Sequence, residues 1–467
     1  MWGFNLFPHI LFRLTVCQFW GTIKLFSMID SEFFTDKKAL FHTFGCKLNF
    51  SETSTVARLF AEKGIRRVST GEVPDFIVVN SCSVTEVADK KCRQLIRSMV
   101  RKYPTAKVIV TGCYAQLKPA EVAEIDGVAI VAGNDRKLLL GDYLDQWIES
   151  QRTQTQVTPW RNMRCFVPSC SRGDRTRYFL KVQDGCDYWC TYCTIPQARG
   201  RSRSGTVAEM VEQARRVAAE GGKEIVLPGV NVGDFGKGTG ETFLDLVKAL
   251  DRVDGIERYR ISSIEPNLLT DEVIDFVAGA RRFMPSFHVP LQSGSDEVLR
   301  LMHRHYDTDL FRRKMEKIRQ SIPHAFIGVD LMVGVRGETE QEFENSRRFV
   351  ESLTISRLHV FTYSERPGTK ALEIPHVVDQ AEKHRRTRIM LQVSERKLLE
   401  FTRQFMGQTR PVLMEHPRRG KPMTGFTDNY IKVEVKGGKP SIDNTVVNVK
   451  LTDIINDGEE MLGEVMP

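Results

Sequence analysis

Residues 178–193 read YFLKVQDGCDYWCTYC. A short apolar run passes through Gln183, Asp184 and Gly185 into three cysteines spaced Cys-x3-Cys-x2-Cys, at Cys186, Cys190 and Cys193. Thiols this close together do not make a disulfide framework, but three thiolates can hold three irons of a 4Fe-4S cubane and leave the fourth open. A structural zinc wants a fourth Cys or His, and none lies close in sequence. The stretch decides the fold because it puts reactive groups at the C-terminal end of a strand. That is where parallel β/α barrels keep their chemistry.

Downstream, residues 175–375 repeat the alternation of strand and helix. EIVLPG, RYRISSI, SFHVPLQ, AFIGVDLMVG and SRLHVFTY read as further strands, with VAEMVEQARRVAAEG and TEQEFENSRRFVES among the helical patterns between them. Six such units predict an open or partial (β/α)6 barrel. Residues 376–404 read as one long basic helix or a helix pair. From about 405 the pattern changes to short β runs, RPVLMEH, KPMTGFTD, YIKVEVKG, TVVNVKLTDI and MLGEVM, which predict a small β-barrel.

Upstream, residues 39–150 alternate ALFHTFGC (39–46), DFIVVNSC (75–82), KVIVTGC (107–113) and VAIVAG (128–133) with helix-like stretches. Near-continuous apolar strands mean a parallel sheet covered on both faces. Cys46, Cys82 and Cys113 each fall at the C-terminal end of a different strand, hence on one sheet edge, where open α/β folds bind ligands. They are candidates for a second cluster with one free iron. Cys92 lies mid-helix, so not every cysteine here is a ligand. The expected organisation is an extension over 1–38, an α/β sheet domain over 39–150, a linker over 151–174, a barrel with its following helices over 175–404, and the small β-barrel over 405–467.

The chain has 467 residues, 41% hydrophobic and 27% charged, with 67 Lys+Arg against 59 Asp+Glu. Length suggests about three domains, and the mild excess of positive charge permits a polyanionic partner without demanding one. Cysteine usage suits a reducing, cytoplasmic compartment. The first 27 residues are aromatic-rich and lack acid, but Arg13 and Lys24 interrupt any clean apolar run, and the stretches are too short to span a membrane. They read as translation upstream of a true start at Met28.

Over nearly all of residues 39–467 the chain resembles the radical S-adenosylmethionine methylthiotransferase family. The resemblance rests on HTFGCKLNFSE, VVNSCSVT, VTGCYAQ, QDGCDYWCTYC, ARGRSRS, GVNVGDFG, RISSIEP, HVPLQSGSD and YSERPGTKA. It implies a methylthiotransferase domain, a radical barrel and a C-terminal TRAM domain, with two 4Fe-4S clusters. In such enzymes the open iron of the cluster on Cys186, Cys190 and Cys193 chelates S-adenosylmethionine, whose reductive cleavage yields a 5′-deoxyadenosyl radical. The cluster on Cys46, Cys82 and Cys113 carries the sulfur to be inserted. The resemblance makes all six cysteines catalytic metal ligands. It makes Tyr192 the aromatic against the adenine, and Gly229, Asn231, Ser263, Glu265, His288 and Gln292 cofactor-pocket residues. Each of these also has a plain structural reading, because barrel-end polar groups often only cap helices or satisfy loop backbone.

GCKLN at Cys46 is similar to the branch acting on N6-threonylcarbamoyladenosine at position 37 of tRNA, beside the anticodon. The isopentenyladenosine branch tends toward GCQMN and the ribosomal-protein branch toward GCPKN. Those two substrates remain alternatives, as does a non-catalytic iron-sulfur protein that binds RNA and senses redox state. Implied partners are the tRNA anticodon stem-loop and a reductase or flavodoxin-type electron donor, with no membrane. Two positions depart from the family pattern: Pro228 stands where LTG is usual, and Val335-Arg336 replaces Phe-Pro. Arg336 is a candidate to meet a substrate phosphate or carboxylate at the barrel mouth. Arg199, Arg201 and Arg203 are candidates to meet the anticodon loop. Residues 403–450 hold nine Lys/Arg against four Asp/Glu, including Arg418, Arg419, Lys432, Lys436 and Lys439, a pattern suited to tracking a phosphate backbone. Phe426 and Tyr430 can stack bases or fill a core.

Overall fold

The computed structural model describes residues 31–173, 176–416, 420–435 and 440–466. The reading of the first 27 residues, and of Arg418, Arg419, Lys436 and Lys439, lies outside them. The chain divides into two compact units, one running to Ser169 and including Ile195–Arg203, the other formed by Cys170–Thr194 and Ser204–Pro467.

The first unit is a parallel sheet of β1 (Lys38–Thr43), β2 (Arg66–Arg67), β3 (Phe76–Ser81), β4 (Lys107–Gly112), β5 (Val128–Ala132) and β6 (Gln154–Gln156). The strand order is β2-β1-β3-β4-β5-β6. Every residue of β3 and β5 is buried, which is why β5 is wholly apolar and β3 runs FIVV before Asn80 and Ser81, whose side chains are hydrogen-bonded inside. Helices α1 (Lys47–Glu62), α2 (Glu86–Lys102), α3 (Cys113–Leu117), α4 (Pro119–Ala123) and α5 (Leu140–Ser150) cover it. One face packs Val56 and Phe60 of α1 with Leu140, Leu144 and Trp147 of α5. The other packs Cys92 and Ile96 of α2 with Tyr114 and Val122, so Cys92 is a core residue. Phe34, inside the expected extension, is fully buried in the first of these cores. β6 falls inside the stretch read as a linker, and β2 and β6 both lack an apolar signal because they are short edge strands.

The second unit contains β7 (Arg177–Phe179), the two-residue β8 (Gln183–Asp184), β10 (Glu224–Leu227), β11 (Arg258–Ile261), β12 (Ser286–Gln292), β13 (Phe326–Val333) and β14 (Arg357–Thr362); β9 is Arg203–Ser204. The short helix α6 (Ile195–Arg199), just after the cysteine motif, belongs to the first unit. β7, β10 and β11 pair in parallel, as do β12, β13 and β14, and bridges Tyr259↔Phe283 and Ser263↔His288 join the two triplets. Six parallel strands thus follow one another in chain order, the expected partial barrel. Its helices are α7 (Val207–Ala219), α8 (Phe243–Leu250), α9 (Asp271–Gly279), α10 (Asp296–Leu301), α11 (Thr308–Ser321) and α12 (Glu340–Ser352). The basic stretch after them is one helix, α13 (Gln380–Arg403), N-capped by Asp379.

β15 (Thr409–Met414), β16 (Met423–Thr427), β17 (Lys432–Val435), β18 (Val446–Ile455) and β19 (Glu460–Val465) close into a five-stranded barrel. It seats on the N-terminal end of the large barrel. Arg258 donates to the carbonyls of Phe426 and Pro411 (both 2.9 Å), and Arg260 to those of Asp428 and Thr427 (both 2.8 Å). Burial lowers the Arg258 pKa to about 10. The Arg177 guanidinium lies 4.2 Å from the Phe426 ring centroid.

Candidate active site

At the C-terminal edge of the first sheet, Cys46 follows β1 and caps α1, Cys82 follows β3, and Cys113 follows β4 and opens α3. The edge is tightly built. Gly45 has φ +93°, and a Cβ there would lie 2.8 Å from the Cys82 Sγ. Gly112 has φ +99°, and a Cβ there would lie 2.3 Å from the Ser81 carbonyl oxygen. Only glycine gives the chain both that turn and that approach. Burial pushes the Cys82 thiol up to about 12, with smaller contributions from Cys113 and Cys46, so the three sulfurs share one neighbourhood.

Polar groups surround this edge. Asn49 Nδ2 donates to the carbonyls of Phe44 (2.8 Å) and Ser81 (3.0 Å), tying the ends of β1 and β3 together. Asn134 Nδ2 lies 3.7 Å from Cys113 Sγ and 2.8 Å from the Ala198 carbonyl oxygen. Glu52 is ion-paired with both Lys137 and Arg199, and burial lowers the Lys137 pKa. Arg199 and Arg203 are therefore not free to meet RNA, contrary to expectation. Both are buried, and Arg203 donates to the carbonyls of Cys165 (2.7 Å) and Arg199 (2.6 Å). Arg201 is exposed.

In the second unit, Cys186, Cys190 and Cys193 occupy the loop after β8. The Tyr188 N–H donates to Cys186 Sγ (3.4 Å), and burial pushes the Cys186 thiol up to about 12, with Cys190 and Cys193 adding to it. Arg304 Nη1 donates to Cys190 Sγ (3.0 Å), and Arg304 is also ion-paired with Glu265. Gln183 binds the loop to its neighbour: Nε2 donates to the Gly185 carbonyl (2.8 Å) and Oε1 accepts the Asn231 N–H (2.8 Å). Two sets of three thiols, one at the ends of β1, β3 and β4 and one in the loop after β8, each have the number of thiolates that can hold three irons of a cubane and leave the fourth open.

Residues 180–350 match the Radical SAM superfamily, and residues 38–133 match the Uncharacterized protein family UPF0004. The chain is 39% identical over 422 residues to the threonylcarbamoyladenosine tRNA methylthiotransferase MtaB of Bacillus subtilis, covering 88% of this chain and 93% of that one. The chain belongs to the radical S-adenosylmethionine methylthiotransferases. The methylthiotransferase is also 35% identical over 404 residues to MtaB of Thermotoga maritima, with 86% of this chain and 92% of that one covered. Against the tRNA-2-methylthio-N(6)-dimethylallyladenosine synthase of Pelotomaculum thermopropionicum identity is 29% over 427 residues, covering 89% and 95%. The radical S-adenosylmethionine methyltransferase TsrM of Kitasatospora setae shares the fold, at TM-score 0.54 and 14% identity, covering 72% of this chain and 77% of that one. The cofactors of this family are two 4Fe-4S clusters and S-adenosylmethionine.

The remaining expected site residues of the methylthiotransferase fall around the barrel. Tyr192 packs against Val298, Met302, Val335 and Tyr363. Gly229 follows β10, where a Cβ would sit 2.8 Å from Val232. Asn231 is buried beside the Tyr188 hydroxyl. Ser263 bridges to His288, whose Nε2 lies 2.7 Å from Asp330 Oδ1. Burial pushes the Glu265 carboxyl up, opposed by Arg304. Gln292 ends β12 at φ +65°, a left-handed conformation uncommon outside glycine. Arg336 is paired with Glu365 (2.6 Å) and donates to the Leu372 carbonyl (2.7 Å), so its charge is already met. Phe426 and Tyr430, both half-buried, lie against Arg177, and Tyr430 also lies against Arg260. The sequence reading missed Gln183, Arg304, Asn49 and Asn134, polar residues with no periodic signal.

Proposed function

We propose that this chain converts N6-threonylcarbamoyladenosine at position 37 of tRNA to its 2-methylthio derivative. The observation that carries the reading is the 39% identity to the threonylcarbamoyladenosine enzyme, against 29% to the dimethylallyladenosine one, with both cysteine sets intact. Cys186, Cys190 and Cys193 would hold one 4Fe-4S cluster, and Cys46, Cys82 and Cys113 the other. When bound, these groups supply the electron that cleaves S-adenosylmethionine and the sulfur that is inserted. Such chemistry is beyond side-chain acid–base catalysis, because the C–H bond of a purine is too weakly acidic.

The protein's own share is binding and orientation. Arg304, buried between Cys190 and Glu265, offers a cation for the amino-acid end of the cofactor. Tyr192, Gly229, Asn231, Ser263, Glu265, His288 and Gln292 would line the rest of that pocket. The tRNA anticodon stem-loop is the partner, a reductase or flavodoxin-type protein the electron donor, and the cytoplasm the place of action. Among the described residues no helix is long and apolar enough to cross a membrane.

Mass spectrometry of tRNA nucleosides from a deletion strain tests the reading. Loss of the methylthio group from threonylcarbamoyladenosine alone is expected. Loss from isopentenyladenosine instead would move the chain to the sister branch, and unchanged tRNA would overturn the proposal. In the purified protein, Cys186→Ala should lose reductive cofactor cleavage. Cys46→Ala, Cys82→Ala and Cys113→Ala should keep it and lose product.

A further inference from the structure

Behind the three-cysteine edge of the first unit lies a charge group that the reaction above leaves without a role. Glu52 of α1 meets Lys137 and Arg199 at once (Arg199 Nη1–Glu52 Oε1 3.0 Å, Nη2–Oε2 3.2 Å), and all three side chains are 1% exposed. Two cations and one carboxylate leave a net charge of +1 where burying an ion costs several kcal/mol. The group is wired to every cysteine-bearing strand end. Arg199 Nη2 donates to Asn49 Oδ1 (2.7 Å), and Asn49 in turn holds the Phe44 carbonyl, two residues before Cys46, and the Ser81 carbonyl, just before Cys82. Asn134, bonded to the carbonyl next to Arg199, places its Nδ2 3.7 Å from Cys113 Sγ.

We propose that Glu52, Lys137, Arg199 and Asn134 are positioning residues that set the charge and the sulfur hydrogen bonding of the three-cysteine site, favouring an anionic thiolate-ligated centre there. The inference rests on the reading of Cys46, Cys82 and Cys113 as cluster ligands. A 4Fe-4S core of charge 2+ on three thiolates carries −1, which the buried +1 balances. Any anionic sulfur on the open iron gains from the same field. Net charge and hydrogen bonds to sulfur are two of the levers by which a protein sets a cluster's potential.

The charge arithmetic gives the test its signs. Lys137→Met leaves a net charge of zero, Glu52→Gln leaves +2, and the double variant returns to +1. In an EPR-monitored redox titration of the full chain carrying both clusters, Lys137→Met should move the midpoint potential of the three-cysteine cluster negative. Glu52→Gln should move it positive, and the double variant should restore the parent value. Asn134→Leu, which removes the N–H toward Cys113, should also move it negative. If Glu52→Gln fails to fold, Lys137→Met and Asn134→Leu still carry the sign. Equal potentials in all variants at full iron content would overturn the inference, and so would lower cluster occupancy without signed shifts. A parent chain whose iron content does not change on Cys113→Ala would overturn the ligand reading and the inference with it. Iron content alone separates that result from the others.

Discussion

Arg304 lies beside the loop that carries Cys186, Cys190 and Cys193. Its guanidinium, 3% exposed, serves Cys190, Glu265 and the Tyr306 hydroxyl (3.0 Å) together. Breaking a buried pair from one side leaves an uncompensated charge, at a cost of about 3 kcal/mol or more. Arg304→Met should therefore lower the melting temperature, and Arg304→Met with Glu265→Gln should recover much of the loss. An unchanged melting temperature in the single variant would mean that Glu265 is already neutral. Gly112→Ala should be worse for its size. The added Cβ meets the Ser81 carbonyl oxygen at 2.3 Å, so β3 and β4 must part, and the backbone at φ +99° and ψ −165°, a conformation essentially confined to glycine, alone costs ~1–3 kcal/mol. Reduced iron content together with a lowered melting temperature is the expected result. The position of Cys46 and Cys113 at strand ends was legible in the sequence. The amides of Asn49 and Asn134 were not, because what they do depends on α6 arriving from residues 195–199.

Among the elements, α13 shows how charge shapes a helix that has little apolar pattern. Asp379 accepts the Glu382 N–H at its start (2.9 Å), and Glu382 pairs with Arg385 (2.6 Å) and Arg386 (2.7 Å). These arginines hold the Glu382 carboxyl down at about 2. A carboxyl depressed in the folded state stabilises the fold above its unfolded value near 4.5. That contribution is lost as pH falls from about 4.5 to about 2. Glu382 is partly open to solvent, so screening keeps the effect small. Thermal melts followed by circular dichroism between about pH 5 and pH 2 should fall less steeply for Glu382→Gln than for the parent. All six barrel strands and all five strands of the small barrel were legible as apolar runs. β2 and β6 were not, since an edge strand of two or three polar residues is held by backbone pairing rather than by burial.

At the scale of the whole molecule, the small C-terminal barrel is part of the second unit's packing as well as a candidate RNA-binding surface. It covers Phe401 and Phe326, and it supplies four carbonyls to Arg258 and Arg260. A chain ending at residue 404 should accordingly melt at lower temperature and bind a hydrophobic dye, as well as lose affinity for tRNA. Truncation is thus a poor isolator of RNA binding. Arg418→Ala with Arg419→Ala is the cleaner variant. It should weaken tRNA binding broadly, with radical formation intact. The slope of log affinity against log salt should flatten by ~0.7–0.9 for each phosphate that is no longer neutralised. An unchanged slope would place the tRNA backbone elsewhere.

Along the chain, the order of the parts, the parallel strands and the thiols of Cys186, Cys190 and Cys193 are local patterns of strand burial and residue spacing, and Cys46, Cys82 and Cys113 follow from where three of those strands end. Only the tertiary structure decided what the polar residues do. Arg199 and Arg203 read as candidates for the anticodon loop, Arg336 for a substrate phosphate or carboxylate, and Phe426 and Tyr430 for either stacking or core, yet each is engaged within its own unit by Glu52, by backbone carbonyls, by Glu365 or by Arg177. A charge or a ring takes its meaning from whatever the fold brings against it, and partners such as Glu52 and Arg199, 147 residues apart, leave no mark on sequence periodicity.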